Sequence, residues 1–94
     1  MKVVWSRRAI RHLVSLRKYI AKDSEQHAAL AAKRILDSVE LLATHPESGR
    51  PGRQMGTREL VIPNTPYIIP YRVRGDRLQL IAVFHARQKW PVNL

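Results

Sequence analysis

One histidine and two arginines in the second half of the chain have the side chains best suited to chemistry on a phosphate. His85 can act as a base or an acid, because an unperturbed imidazole titrates near neutrality. Arg72 and Arg87 can bind a phosphate with their forked donors. Metal-independent RNA cleavage needs a base, an acid and cations for the developing charge. These residues are therefore the candidate catalytic set if the chain is a nuclease. The competing interpretation is a structural histidine and solvated arginines.

Other catalytic or metal-binding chemistry finds little support in the sequence. There is no cysteine, which excludes disulfides and thiolate metal sites. The four histidines fall in different predicted elements, without the spacing of metal ligands: His12, His27, His45 and His85. No glycine-rich phosphate loop precedes a helix. We therefore expect neither a metal nor a cofactor.

The net charge is the strongest compositional signal. Seventeen Lys and Arg against seven Asp and Glu give +10, with a pI near 11.2. Such a field predicts a polyanionic partner: nucleic acid, a nucleoprotein or an acidic protein. A solvated basic surface without a partner is the alternative.

The length and hydropathy of the chain predict one globular domain. A chain of 94 residues, 45% of them hydrophobic, fits one domain spanning residues 1–94. The N-terminus becomes charged after three apolar residues, unlike a signal peptide, and no stretch is long enough to span a membrane. We expect a cytoplasmic protein with no membrane partner.

Hydrophobic periodicity predicts a strand followed by two helices. Residues 1–5 form a short apolar run, and Ser6 can cap a helix over residues 7–22. A second helical pattern covers residues 25–44 and ends before Pro46. The short joint predicts an antiparallel helical hairpin. The first helix carries a cationic stripe opposite its apolar side: Arg7, Arg11, Lys18 and Lys22.

After a loop rich in Gly and Pro, the period becomes strand-like over residues 57–62, 67–73 and 77–85. The order β-α-α-β-β-β predicts an α+β fold, a helical hairpin packed on a small, twisted, mainly antiparallel sheet. A two-residue turn at Gly75-Asp76 sets the register of the last two strands. Pro70 is awkward inside a strand and indicates an edge or a bulge.

This register assigns two faces to the last two strands. Arg72 is expected to pair with Gln79, Pro70 with Ile81, and Ile68 with Val83. The core face then holds Tyr67, Ile69, Tyr71, Val73, Leu78, Leu80, Ala82 and Phe84. The open face holds Ile68, Pro70, Arg72, Gln79, Ile81, Val83 and His85, with Glu59 also facing outward.

Little of the chain remains to cover the open face. Ile81 and Val83, half exposed there, would mark a partner surface. The alternative is that the tail, with Trp90 and Val92, folds back over them. The residues alone do not decide between a partner and the tail as the cover of this face, and each could cover it in a different state of the protein.

Four segments together resemble the RelE/ParE toxin superfamily: VVWSRRAIRHLVSLRKYIA, HPESGRPGR, GTRELVIPNTPYIIPYRV and LIAVFHARQKWP. The resemblance implies a toxin of a type II toxin–antitoxin system, neutralised by an acidic antitoxin that folds around it. The antitoxin-binding candidates are the open-face and tail residues Ile68, Ile81, Val83 and Trp90.

Departures from the nuclease pattern favour the ParE-like branch. RelE-like nucleases carry an arginine in a middle-strand pattern resembling R-L-V-Y, where this chain has Ile68-Ile69-Pro70-Tyr71. They also carry a tyrosine near the C-terminus, and the tail here has none. ParE-like members act on DNA gyrase, and the cationic stripe with Arg87 would then bind the target. The alternative is a RelE-like, ribosome-dependent mRNA endoribonuclease using His85, Arg87 and Arg72.

Overall fold

The computed structural model describes residues 1–94 and has two helices and six strands. The elements in chain order are β1 Lys2–Trp5, α1 Arg7–Ala21, α2 Glu25–Thr44, β2 Arg50–Pro51, β3 Arg58–Val61, β4 Tyr67–Arg74, β5 Arg77–Leu80 and β6 Phe84–His85. The predicted α+β class and element order are confirmed. Two details differ: the two-residue β2 was not predicted, and the expected last strand is divided into β5 and β6.

Each helix begins directly after a serine, as predicted for Ser6, and both starts have the same local cause. The Ser6 side chain accepts a hydrogen bond from the Ala9 backbone N–H, and Ser24 does the same for His27. Each serine thereby satisfies one of the free N–H groups of a first helical turn. The α2 helix ends at His45, ahead of Pro46, as the proline predicts.

The strands form one sheet in the order β1-β5-β4-β3-β2, with β6 also paired to β4. The β1–β5 pair is parallel and the other pairs are antiparallel. The helical hairpin covers one face of this sheet. Its buried side chains share one core cluster with those of the strands: Ala9, Ile35, Val39, Leu42, Ile62, Ile69, Tyr71, Leu78, Leu80 and Val83.

The predicted hairpin and its register are confirmed next to the turn. Arg74 pairs with Arg77 across Gly75, which has a φ of 60°, and Arg72 pairs with Gln79. Only Gly adopts that backbone conformation without steric cost. Tyr71 and Leu80 face the helices as expected, whereas Val73 near the end of β4 is exposed.

Pro70 interrupts the ladder in the middle of the sheet. It lies on the central strand β4, not at an edge, and its carbonyl accepts a hydrogen bond from the Ile81 N–H (2.9 Å). In such a pair the second bond would run from the residue-70 N–H to the Ile81 carbonyl, and proline has no N–H. The regular β4–β5 pairing stops at this point, at Leu80.

Beyond Pro70 the register shifts by one residue. Arg72 pairs with Gln79 but Ile68 pairs with Phe84, so a step of four residues on one strand faces a step of five on the other. The extra residue is a β-bulge, and a one-residue shift exchanges the faces of every side chain after it.

The prediction of side-chain faces is therefore wrong after Ile81. Val83 was expected on the open face and packs in the main core instead. Phe84 was expected in the core and lies in a second cluster with Ile81 and Trp90. His85 pairs with Tyr67 and takes its place on the helix side of the sheet.

Ser6 supplies the donor that Pro70 lacks. The Ser6 hydroxyl donates to the Ile81 carbonyl (2.7 Å) while its oxygen accepts from the Ala9 N–H (2.9 Å). The Ser6 backbone N–H continues the parallel pairing by donating to the Leu80 carbonyl (3.0 Å). One residue thus joins β1, α1 and the interrupted end of β5.

We predict that Ser6→Ala destabilises the fold more than an ordinary cap loss does. The cap is worth about 1 kcal/mol, and leaving the Ile81 carbonyl unpaired costs a further ~1–3 kcal/mol. Ser24→Ala is the matched control, because Ser24 caps α2 with an exposed bond and makes no second one. Urea denaturation of both variants measures the difference, and equal losses would contradict the role assigned to the Ser6 hydroxyl.

Candidate functional site

The three candidate catalytic residues do not lie together. Arg72 alternates with Tyr71 and points away from the helices, toward Gln79 and Ile81. His85 lies on the helix side, where its ring meets that of Tyr67 edge-on at 5.9 Å. Arg87 is exposed in the turn that follows β6. His85 and Arg72 therefore lie on opposite faces of the sheet, while Arg87 stays close to His85.

The hydrogen bonds of His85 belong to the turn that starts the tail. Its Nδ1 accepts from the Arg87 backbone N–H (3.1 Å), and its own N–H donates to Gln88 Oε1 (2.7 Å). The Trp90 indole N–H donates to the His85 carbonyl at 3.4 Å. These contacts hold the imidazole as part of a structural turn.

His85 instead borders a shallow cleft of about 410 Å³ between α1 and the end of the sheet. Its lining was not identified from the sequence, because the residues come from three separate elements: His12, Ser15, Leu16, Tyr19, Tyr67, Val83, His85 and Gln88. No arginine or lysine is among these lining residues. Across residues 1–94, no group of three His, Cys, Asp or Glu side chains is placed to hold a metal ion.

His12 has a structural role in this cleft. Its Nδ1 accepts the Val83 N–H (3.1 Å), a backbone donor that the bulge removes from the ladder. Burial lowers the pKa of His12 below its usual value of 6.5, and the nearby Arg8 and Arg11 charges lower it further. An imidazole protonated on Nδ1 cannot accept this bond, so the folded chain requires neutral His12.

Tyr67 is the other titratable group of interest in the cleft. Burial raises the pKa of the Tyr67 hydroxyl above 10.0, and Tyr19 adds to the effect. The phenol is therefore neutral near pH 7 and is not a base there. Tyr67 and His12 are thus both uncharged near pH 7.

We predict that His12 makes the protein less stable in mild acid. Because the pKa is lower folded than unfolded, the unfolded chain binds more protons below pH 6.5. The free energy of unfolding should fall from pH 7 downwards, until the folded pKa is reached. His12→Asn keeps an acceptor without the titration, so its unfolding midpoint should vary less between pH 7 and 5. Parallel pH profiles for the two proteins would contradict this role.

The open face of the sheet is covered by the tail. The centroids of the Phe84 and Trp90 rings lie 4.7 Å apart, and the Arg53 guanidinium lies over the Trp90 ring, 3.5 Å from its centroid. The Gln54 amide donates to the Val92 carbonyl (2.6 Å). Of the two coverings left open by the sequence, the tail is the one observed.

The expectation of half-exposed residues on this face is therefore wrong. Ile68 and Ile81 retain only 6% and 8% of their exposure, and Val83 faces the helices. Trp90 alone among the four antitoxin-binding candidates is half-buried and reachable from outside. A binding role for these residues stays a prediction, and for Val83 it would require the core to open.

Glu59 fixes the arginine that holds the tail. This carboxylate faces outward as predicted, yet it is only 3% exposed. It bonds the Arg50 side chain through Oε1 (3.0 Å from Nε) and the Arg53 backbone N–H through Oε2 (3.1 Å), with the Arg53 Nε at 3.5 Å. Charge compensation of this kind is what allows a carboxylate to be buried.

The cationic stripe on α1 is confirmed as a surface feature. Its four members and Arg87 are exposed, and none forms an ion pair within the chain: Arg7, Arg11, Lys18 and Lys22. By helical spacing the stripe runs beside Ser15 and Tyr19, on the edge of the His85 cleft. Neither helix is long and apolar enough to cross a membrane.

Comparison with known proteins agrees on one family. Residues 3–90 match the family described as ParE toxin of type II toxin–antitoxin system, parDE. The chain is 47% identical over 90 residues to the candidate toxin Y4kP of Sinorhizobium fredii (strain NBRC 101917 / NGR234), covering 96% of this chain and 93% of that protein. It is 33% identical over 85 residues to toxin RelE2 of Caulobacter vibrioides, covering 90% and 94%. A chain of the chromosomal ParDE TA system from P. aeruginosa matches with a TM-score of 0.80 and 26% identity, covering 90% and 95%.

Proposed function

Because this chain belongs to the ParE family of type II toxin–antitoxin toxins, we propose that it inhibits DNA gyrase by binding it in the cytoplasm, without an active site of its own. Its physiological partner is an antitoxin. The finer assignment, gyrase rather than the ribosome, rests on the arrangement of a few side chains.

The observation that carries this proposal is the separation of His85 from Arg72. The bulge turns His85 toward α1, while Arg72 stays on the opposite face of the sheet. A nuclease needs its base and its phosphate-binding cations around one scissile bond. The residues that line the cleft beside His85 include two histidines and two tyrosines but no arginine or lysine.

A second observation is the burial of Ile68. The Ile68 side chain is 6% exposed on the central strand. By the resemblance described above, RelE-like nucleases carry an arginine at this position. Losing a cation that meets transition-state charge costs about 100–1,000-fold in rate. An inhibitory binding protein needs no residue there.

The surface that would meet gyrase is the α1 stripe with Arg87. Five exposed cations without internal partners provide long-range attraction to an acidic or nucleic-acid-bound target. Exposed charges of this kind act mainly on the association rate and are weakened by salt.

We predict that DNA synthesis fails first when the toxin is induced without antitoxin. Thymidine and methionine incorporation are followed side by side, and purified toxin is added to gyrase in a DNA supercoiling assay. Thymidine incorporation should fall first, and supercoiling should be inhibited. A collapse of methionine incorporation within minutes, with DNA synthesis continuing, would instead support the RelE-like ribosome-dependent endoribonuclease, the function that the name of the Caulobacter relative suggests.

Substitutions separate the two mechanisms further. His85→Ala should leave toxicity intact, because binding needs no general base. The double variant Arg11→Glu, Lys18→Glu should reduce gyrase inhibition about tenfold or more at low salt. Arg77→Glu, an exposed site on the β4–β5 hairpin, is the control for charge loss alone.

We also propose that the antitoxin contacts the tail-covered face, where Ile68, Ile81, Val83 and Trp90 are the candidate residues. Trp90 is the accessible member, and aromatic side chains of this kind dominate many interfaces. Ile68 and Ile81 can take part only if the tail moves, because the tail covers their face.

We predict that Trp90→Ala weakens the antitoxin complex at least about tenfold, measured by titration calorimetry. Tyr19→Ala is the matched control, because Tyr19 is an aromatic residue that is 71% exposed on α1, away from this face. An unchanged affinity would remove Trp90 from the interface. A tighter complex would mean that the tail competes with the antitoxin for the same surface.

A further inference from the structure

A second cleft lies on the opposite side of the sheet from His85, where β1 meets α1. It measures about 370 Å³ and is bordered by eight residues: Val4, Ser6, Arg8, Arg72, Gln79, Leu80, Ile81 and Leu94. Two of these are arginines, and none is acidic. Half of the lining is apolar, so charge and apolar surface meet in one small recess.

Both arginines have a buried nitrogen without a partner in the chain. Arg8 Nη1 and Arg72 Nε are shielded from solvent, and neither donates a hydrogen bond to any atom of residues 1–94. They are the only buried side-chain nitrogen or oxygen atoms in this condition. Both side chains are partly exposed, but the shielded nitrogen of each has lost its hydration without gaining a hydrogen bond, which is unfavourable.

The start of α1 adds positive potential to the same place. Ser6 caps the helix beside this cleft, and the first turn contains Arg7 and Arg8 but no acidic residue. The N-terminus of a helix carries partial positive charge, which favours anions and disfavours cations. Two arginines at this end of the helix therefore destabilise the free chain electrostatically, and a bound anion removes that repulsion.

We propose that Arg8 and Arg72 form a binding site for a carboxylate, an Asp or Glu side chain of the antitoxin. The inference rests on the toxin–antitoxin assignment but not on gyrase as the target. Two guanidinium groups match the oxygens of one carboxylate, and such charge-assisted bonds are the strong ones. The bound carboxylate neutralises positive charge at both guanidinium groups and at the start of α1.

The shape of the cleft favours a protein side chain over a nucleic-acid phosphate. The unpartnered nitrogens are recessed in a cleft whose lining includes the apolar residues Val4, Ile81 and Leu94. An Asp or Glu on a short apolar-flanked segment can enter such a cleft, whereas a phosphate is attached to a bulky, hydrophilic sugar chain. The exposed cations on α1 are better placed for phosphates.

The test compares Arg8→Met, Arg72→Met and the double variant with the wild-type chain. The probe is the antitoxin encoded beside the toxin gene, with affinity measured by titration calorimetry. Each single substitution should weaken binding about tenfold or more, and the double should lose less than the product of the singles. Arg74→Met is the matched control, because Arg74 is exposed two residues further along the same strand and face, and it should change affinity less than about twofold.

Thermal unfolding distinguishes a ligand site from a structural role. Removing an unpaired buried charge should leave the melting temperature of the free toxin unchanged or raise it by a few degrees (~2–5 °C). Weakened antitoxin binding together with a lower melting temperature would mean that the arginines support the fold, and would overturn the proposal. Affinities equal to that of Arg74→Met would overturn it as well.

Two further measurements identify the ligand. Each Asp and Glu of the antitoxin is changed to Asn or Gln, and one change should weaken binding to the wild-type toxin but not to Arg72→Met. If no acidic residue behaves so, the proposal fails. Arg72→Met should bind a 20-nucleotide oligo-dT as the wild type does; loss of that binding with antitoxin affinity intact would assign the site to phosphate. A wild-type toxin that fails to inhibit gyrase would refute the target and leave these affinities unaffected.

Discussion

The fold depends on how one missing backbone donor is replaced. Pro70 occupies the middle of the central strand, and its ring removes the N–H that would bond the Ile81 carbonyl. The Ser6 hydroxyl fills that place at 2.7 Å while the same oxygen caps α1. A side chain at the joint between the first strand and the first helix is therefore required to complete the sheet. The entry of α1 onto the sheet is fixed by the same bond, and so is the floor of the cleft between Arg8 and Arg72.

The interruption at Pro70 also decides what the two faces of the sheet can do. Once the ladder stops at Leu80, an extra residue fits before Phe84, and the exchanged faces send Val83 inward and Phe84 outward. The Val83 N–H, which the bulge removes from the ladder, donates to His12 Nδ1 instead. His12, one of the four histidines, therefore serves as a structural acceptor. His85 moves to the helix side in the same step, away from Arg72. The geometry that completes the hydrophobic core is thus also the geometry that places His85 and Arg72 on opposite faces of the sheet.

The sequence predicts those parts of the fold that depend on neighbours in the chain. Helix starts at Ser6 and Ser24, the Gly75-Asp76 hairpin and the pairing of Arg72 with Gln79 all follow from local patterns. The sequence also marks Pro70 as irregular, but it does not say whether the irregularity is an edge or a bulge. Choosing requires knowing that Val83 can fill the core and that His12, 71 residues earlier, can accept its N–H. The same limit hid the His12–Tyr67–His85 cleft and the tail contacts, since Arg53 and Trp90 meet only in three dimensions.

Some charged side chains are paired within the chain, and others have no internal partner. Glu59 is buried with two arginines and a backbone N–H, and that cluster holds Arg53 against Trp90. Arg8 and Arg72 are partly buried and have no carboxylate beside them, because none of the seven acidic residues lines their cleft. A chain with a net charge of +10 cannot pair all its cations internally, and it places the unpaired ones at two kinds of site. Those on α1 are exposed, where water stabilises them and salt screens them, which suits steering toward a large target. The two in the cleft are partly exposed, but each has one nitrogen that is shielded from water and unpaired, which suits a ligand that enters the cleft.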